Sequence, residues 1–253
     1  MPRLAASVEM MFREAALLDR FERAAAAGFR GVEIQSPYGE AKEAVAERVR
    51  RHGLTAVLMN VLPGVAAIPG REAEFRDALT RALAYAEAAG CSRLHCLAGR
   101  TDDPKAEATF VANLKWASER ARPAGVRLLL EPLNTRDNPG YFLTGTAQAR
   151  RILDQVGSDN VLLQYDCYHM QIMEGDLAGA IKNHIDVIGH VQIAGVPGRH
   201  EPDQAQEVDY TSLLALIDSL GYEGWVGCEY HPRKGTVEGL AWARPYGIRD
   251  GRP

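Results

Sequence analysis

Val126-Arg127-Leu128-Leu129-Leu130-Glu131, a short apolar run closed by a carboxylate, sets the reading of this chain, because the pattern returns three more times downstream. Asn160-Val161-Leu162-Leu163-Gln164-Tyr165-Asp166, Val187-Ile188-Gly189-His190-Val191-Gln192 and Trp225-Val226-Gly227-Cys228-Glu229 are built alike. A short, nearly continuous apolar run is the pattern of a strand buried on both faces, as in parallel α/β sheets. One oxygen donor at one strand end is explained by solvent exposure or by a loop cap. The same feature at four consecutive strands predicts a ring of ligands on one rim of a barrel, with Glu131, Asp166, Gln192 and Glu229 holding a hard divalent cation.

Working outward, strand-like and helix-like segments alternate along the whole chain. Strands are predicted at Leu4–Val8, Gly31–Gln35, Thr55–Asn60, Arg93–Ala98, Val126–Glu131, Val161–Asp166, Val187–Gln192 and Trp225–Glu229. Helices are predicted at Leu17–Ala27, Ala41–His52, Arg71–Ala89, Pro104–Ala121, Gly145–Gln155, Leu177–Asn183, Tyr210–Leu220 and Thr236–Ala243. Glycine stands at the expected C-cap in Ala27-Gly28, His52-Gly53, Ala89-Gly90 and Leu220-Gly221, where a left-handed residue ends a helix at least cost. Eight such units with no linker between them predict an α/β chain folded as a single (β/α)8 TIM barrel, one domain over residues 1–253. The length suits it, since such barrels typically run to about 250 residues. An open doubly wound sheet is the alternative, but no G-x-G-x-x-G follows the first strand. Long connections after strands five and seven, Tyr141–Gly145 and Ala194–Val208, lie at the carboxyl ends, where barrel active sites are built.

Composition narrows the function class. With 46% hydrophobic and 25% charged residues the chain is an ordinary globular protein. A formal net charge of -4 disfavours a nucleic-acid partner, which wants a basic face. The basic run Arg48-Val49-Arg50-Arg51-His52 closes a helical pattern, where cations complement the helix dipole. No stretch approaches the roughly 20 apolar residues of a membrane span, and Met1–Val8 shows no cationic-then-apolar leader. The four cysteines (91, 96, 167 and 228) form no C-x-x-C pair, so neither a zinc knuckle nor a disulfide framework is indicated and a cytoplasmic setting is expected. The expected partner is a small-molecule substrate, with no membrane or nucleic acid; a homo-oligomer is compatible with the sequence.

Strand alternation puts residues i and i+2 on one face. Glu131 therefore shares its inward face with Leu129, Asp166 with Gln164, Gln192 with His190, and Glu229 with Gly227. Carboxylates crowded inside a barrel repel one another and are costly to bury, and a divalent cation resolves both problems. An all-oxygen donor set favours Mg or Mn, with Ca or Co possible, over zinc.

Several stretches carry a resemblance. Leu130-Glu131-Pro132-Leu133-Asn134, Asp166-Cys167-Tyr168-His169-Met170, Gly189-His190-Val191-Gln192 and Cys228-Glu229-Tyr230 resemble signatures of the xylose-isomerase-like barrel superfamily. Asn134–Leu143 and Pro197-Gly198-Arg199-His200-Glu201-Pro202 are similar to its hydroxypyruvate isomerase branch. The likeness spans essentially the whole chain, including Gly31-Val32-Glu33 and His95-Cys96-Leu97-Ala98-Gly99. It implies Glu131, Asp166, Gln192 and Glu229 as metal ligands, Glu131 and Glu229 as the acid–base pair, and an aldose–ketose isomerase acting on a small hydroxy-oxo acid, foremost hydroxypyruvate. Gln192, where sugar epimerases of the superfamily tend to carry His, points to the hydroxypyruvate branch. The substrate-binding candidates are His169, Arg199, His200, Glu33 and His95. His190, one layer beneath Gln192, would orient that ligand. Arg199 is expected to grip a substrate carboxylate bidentately, with Arg136 as a rival for the task. Cys228 is expected as an inert buried thiol. A 2-oxo-tetronate isomerase and a ketose 3-epimerase remain compatible with the same scaffold. An endonuclease-IV-like repair enzyme shares the barrel but needs extra His ligands and a basic surface.

Overall fold

The computed structural model describes residues 1–249. Eight parallel strands close in sequence order into one barrel, from β1 to β8 and back to β1. They are β1 (Arg3–Ser7), β2 (Gly31–Ile34), β3 (Thr55–Val61), β4 (Arg93–Cys96), β5 (Arg127–Leu130), β6 (Val161–Asp166), β7 (Ile188–Ile193) and β8 (Trp225–Cys228). Around them run α1 (Leu17–Ala26), α2 (Lys42–Arg51), α3 (Glu72–Ala89), α4 (Ala106–Ala121), α5 (Thr146–Val156), α6 (Cys167–Met173), α7 (Leu177–His184) and α8 (Tyr210–Ser219). The expected barrel is therefore the observed one. Among the described residues no helix is long and apolar enough to cross a membrane.

Two differences from the sequence reading have local causes. The segment expected as a helix at Thr236–Ala243 is a 3₁₀ helix over Val237–Tyr246. A further short helix, α6, begins directly after β6. Asp166 caps it, its Oδ1 accepting from the Tyr168 N–H at 2.8 Å. Seven residues show no readable helical period, so α6 left no signal in the sequence. The C-cap glycines behave as expected; Gly90 closes α3 at φ 69°, a conformation most side chains resist.

The main apolar core lies between the strands and their helices. Phe21, Phe75, Phe110 and Ile152 on the helices pack there, fully or almost fully buried, with Ile34, Val61, Leu128 and Leu163 on the strands. A separate small cluster of Ala5, Val57, Leu58 and Leu129, with Leu162 and Trp225 against it, fills the barrel interior. Leu129 shares its face with Glu131, so the apolar plug sits directly below the polar site. All four cysteines are buried free thiols, as expected for Cys228 in particular.

Candidate active site

The carboxyl ends of the strands deliver the expected side chains to one place. Glu131 follows β5 directly, Asp166 ends β6, Gln192 lies in β7 and Glu229 follows β8. The ladder sets Asp166 beside Gln192, and Gln192 beside Gly227. A belt of side-chain hydrogen bonds then runs around the interior. Gln164 Nε2 donates to Glu131 Oε2 at 2.9 Å and to Gln192 Oε1 at 2.6 Å. Gln192 Nε2 donates to Glu33 Oε2 at 3.0 Å. Gln35 Nε2 closes the belt, donating to Glu33 Oε2 and Glu229 Oε1 at 3.2 Å each. Ser7 Oγ in turn holds Gln35 Oε1 at 2.9 Å. Glutamine serves well here because its amide both donates and accepts, and so passes orientation from one carboxyl to the next.

The belt encloses a cavity of about 120 Å³ whose lining includes Asn60, His95, Leu97, Leu133, Asn138, His169 and Arg199 beside Glu131 and Glu229. Five buried polar atoms without a partner, Asn60 Oδ1, His95 Nε2, Glu131 Oε1, Gln164 Oε1 and Arg199 Nε, belong to residues of this lining. Orphaned buried polar groups are rare because each costs about 1–3 kcal/mol. Their concentration on one cavity marks the place where a ligand completes the structure.

Charge makes the same point. Burial pushes the Glu131 carboxyl well above its ordinary range, and the nearby charges of Glu229 and Asp166 add to the shift. Burial also raises Glu229 to about 7, against the opposing pull of Arg199. Asp166 is raised by burial although Arg199 and backbone N–H groups favour its charge. Arg199 Nη2 lies 2.7 Å from Glu229 Oε2 and 3.4 Å from Asp166 Oδ2, with its guanidinium 5.0 Å from the Tyr168 ring centre. Its backbone takes φ 52°, a left-handed conformation that for a non-glycine residue costs on the order of 1–3 kcal/mol. The His231 N–H donating to the Arg199 carbonyl at 2.8 Å helps to hold it.

One ligand atom each from Glu131, Asp166 and His169 lies within 4.8 Å of the others, a group that could hold a metal ion. The histidine is the odd member. Its Nδ1 accepts from the Asn134 backbone N–H at 3.1 Å, so the proton of the neutral ring sits on Nε2. Burial keeps the ring neutral, lowering it to about 3. Nε2–H is then a donor toward a ligand oxygen rather than a lone pair for a cation. The oxygen donors remain, with Glu131 Oε1 unpartnered and three carboxyls crowded together, and these residues fit a hard divalent cation.

His95, His169 and Arg199 thus reach the cavity, as the sequence reading expects. Glu33 does not line it. Gln35 stands at the rim on the same strand face, so Glu33 falls one layer deeper, fully buried, with His190 Nε2 2.5 Å from its Oε1. Burial raises Glu33 to about 8 and lowers His190 to about 3, so the pair is neutral. Gly227 makes room for it, since a Cβ there would lie 1.8 Å from Glu33 Oε1. His190 accordingly sits beneath Gln192, linked to it through Glu33. His200 also stays out of the lining: its Nδ1 donates to the His231 carbonyl at 2.9 Å, tying the loop down. Arg136 is exposed at the surface. Gln35 and Asn60 were missed by the sequence reading, although each closes a predicted strand on an amide oxygen, the signal that located the four expected ligands.

A larger cleft of about 710 Å³ opens at the opposite mouth, near Arg93, Arg127 and Tyr222. Arg93 Nε there donates to the Gly189 carbonyl at 3.0 Å, and Asp186 is paired with Arg150 at 2.9 Å. None of the unpartnered buried atoms belongs to its lining among the described residues, so size alone does not make it the site.

Comparison with known proteins identifies the relatives of this chain. The sequence profile of a family described as a xylose isomerase-like TIM barrel matches residues 21–246. The chain is 48% identical to a 2-oxo-tetronate isomerase of Cupriavidus necator, over 97% of this chain and 99% of that protein. It is 43% identical to the hydroxypyruvate isomerase of Escherichia coli, over 97% and 100% of the two chains. A crystal structure from Brucella melitensis described as an AP endonuclease, family 2, superposes with a TM-score of 0.96 at 46% identity, over 98% of this chain and 100% of that one.

Proposed function

The chain belongs to the xylose isomerase-like TIM barrel family and is an isomerase, and from that premise we propose that it interconverts small hydroxy-oxo acids, foremost hydroxypyruvate and 2-hydroxy-3-oxopropanoate. The observation that carries this reading is the small cavity in which Glu131 and Glu229 meet among unpartnered polar atoms. At about 120 Å³ it lies well below the roughly 300–1,000 Å³ of pockets for drug-sized ligands. A molecule of a few heavy atoms fits that space better than a hexose does. The four-carbon 2-oxo-tetronate is favoured as a further substrate by the 48% identity to the enzyme of that name.

Glu131, Asp166, Gln192 and Glu229 would hold a divalent cation, Mg or Mn by the chemistry of their oxygens. Such a cation supplies Lewis acidity to the substrate's carbonyl and adjacent hydroxyl, acidifying the C–H between them. The chain's own residues do the rest. Glu131, positioned through Oε2 by Gln164, takes the proton from one carbon. Glu229, held by Gln35 and Arg199, returns a proton to the neighbouring carbon of the enediolate. His169 Nε2–H donates to a substrate oxygen. Arg199, with Nε unpartnered, receives the substrate carboxylate.

The endonuclease reading suggested by the Brucella description has less support. Among the described residues one group converges tightly enough to hold a metal, and it contains one histidine. The chain's net charge of -4 is also the wrong sign for a DNA-facing surface.

Turnover of hydroxypyruvate in deuterated water tests the mechanism. An enediolate route places solvent deuterium on the accepting carbon of the product. Glu131→Gln and Glu229→Gln should each lower kcat by about 10²–10⁴-fold. Because a shielded proton can transfer without exchange, the two measurements are read together: near-normal turnover in both variants with no label incorporated would exclude the mechanism.

A further inference from the structure

Strands β3 and β4 carry a feature that the isomerisation itself does not use. Asn60 and His95 are direct partners in the β3–β4 ladder, so their side chains stand next to each other on the inner face. Both line the cavity, and each presents a buried polar atom with no partner, Asn60 Oδ1 and His95 Nε2. The chemistry of the histidine atom follows from its other nitrogen. His95 Nδ1 lies 3.3 Å from Glu131 Oε2, the oxygen that already accepts from Gln164 Nε2, so Oε2 is the accepting oxygen of that carboxyl and the ring presents its N–H to it from Nδ1. His95 Nε2 therefore offers a lone pair, as Asn60 Oδ1 does. A hydroxyl suits this pair, since it can donate to His95 Nε2 and accept from the Asn60 amide, whereas a carboxylate has no hydrogen for the His95 lone pair. An unpartnered donor of the cavity lining, Arg199 Nε–H, comes from the β7–α8 loop on another part of the rim. The cavity is thus polarised, with a donor region suited to the acid group of a substrate and an acceptor region suited to a hydroxyl.

We propose that Asn60 and His95 form a hydroxyl-accepting subsite that receives the terminal hydroxymethyl group of a four-carbon 2-oxo-3,4-dihydroxy acid. This rests on the isomerase reading above and adds the residues that read substrate length. Hydroxypyruvate lacks the fourth carbon and leaves the subsite to water. The four-carbon acid fills it, its hydroxyl donating its one hydrogen to His95 Nε2 and accepting from the Asn60 amide, whose N–H and oxygen exchange places by a turn about the last side-chain bond. Leu97, beside His95 in the lining, adds an apolar wall for the methylene.

The test compares steady-state turnover of three substrates by the metal-loaded enzyme: hydroxypyruvate, the four-carbon 2-oxo-3,4-dihydroxy acid, and its 4-deoxy analogue, which keeps the carbon chain and the reacting groups but ends in a methyl. The wild type should favour the hydroxylated acid over the 4-deoxy analogue in kcat/KM by about 10-fold or more, since the analogue's methyl can pair with neither His95 Nε2 nor the Asn60 amide. In Asn60→Ala that ratio should fall to within about twofold of one, chiefly through KM. Equal use of the two four-carbon compounds by the wild type, with hydroxypyruvate still turned over, overturns the subsite and leaves the isomerase reading standing. A ratio kept intact in Asn60→Ala also overturns the assignment. Turnover of none of the three overturns the isomerase reading itself, and the subsite with it.

Discussion

Single atoms show how this barrel stores the requirement for a ligand, and Glu9 shows that the device extends beyond the cavity. Glu9 follows β1, and its Oε1 accepts from the Ser36 N–H at 2.7 Å while its Oε2 is buried without a partner. Burial raises its carboxyl to about 7, against the pull of backbone N–H groups. The sign of the consequence follows from linkage. A carboxyl raised in the folded state binds its proton more tightly than in the unfolded chain, so its contribution is fully present below about pH 4.5 and is lost as pH rises through about 7. Glu9→Gln keeps the acceptor for Ser36 and cannot ionise. It should leave Tm unchanged near pH 4.5 and raise it at pH 8, on the order of 2–4 °C for each kcal/mol recovered in a domain of this size. Melting curves at the two pH values check this, and a Tm gain equal at both would show that ionisation is not the cause. The deeper Glu33–His190 pair avoids the same penalty by staying neutral, in space that Gly227 leaves open.

At the scale of elements, the join between β6 and α6 gives Asp166 two duties. It is a carboxyl of the cluster, and its Oδ1 caps α6 at the Tyr168 N–H. Asparagine caps as well as aspartate does, whereas alanine loses about 1 kcal/mol at such a position. Asp166→Asn and Asp166→Ala both remove the charge, so the difference in stability between them should isolate the cap. Denaturant titration of the metal-free variants should find Asp166→Ala less stable by about 1 kcal/mol, with Mg or Mn affinity reduced in both. Equal stabilities would mean that α6 is held by packing alone. The same join shows where sequence reading stops. Strand period and C-cap glycines made the eight strands and seven of the helices legible, because those elements are long enough to repeat their pattern. α6 has no repeat to read, and its only advance notice was an aspartate already assigned to metal chemistry. Inward direction was equally legible for Glu131, Asp166, Gln192, Glu229 and Glu33. Depth was not, since alternation gives the face of a strand and not the layer, so Glu33 was expected one layer too high. For His200 even direction was hidden. A Gly/Pro-rich loop has no period, and a hydrogen bond to the His231 carbonyl turned the ring away.

On the scale of the whole molecule, the barrel brings carboxyls from β5, β6 and β8 into contact although they are far apart in sequence, and its stability becomes tied to what neutralises them. Without a cation, burial and neighbouring carboxyls raise Glu131, and raise Glu229 to about 7, while burial raises Asp166. By the same sign as for Glu9, protons stabilise this cluster at low pH, and that support is withdrawn as pH climbs through about 7. Arg199 offsets part of the repulsion through its contacts with Glu229 and Asp166. A divalent cation would replace the protons altogether, so its binding should release them and tighten with pH. Thermal melting of the chelator-treated Glu9→Gln protein, which removes that carboxyl's own slope, should therefore show Tm falling between pH 6 and pH 8.5. Added Mg or Mn at a hundredfold excess over Kd stabilises by about 2.7 kcal/mol, and because Kd itself falls with pH, a fixed metal concentration should raise Tm more at pH 8.5 than at pH 6. Mg or Mn should also restore turnover of hydroxypyruvate better than Zn, as oxygen ligands prefer hard cations. A metal-induced rise of the same size at both pH values would separate the cation from these carboxyls, and full turnover by exhaustively metal-free protein would separate it from the reaction.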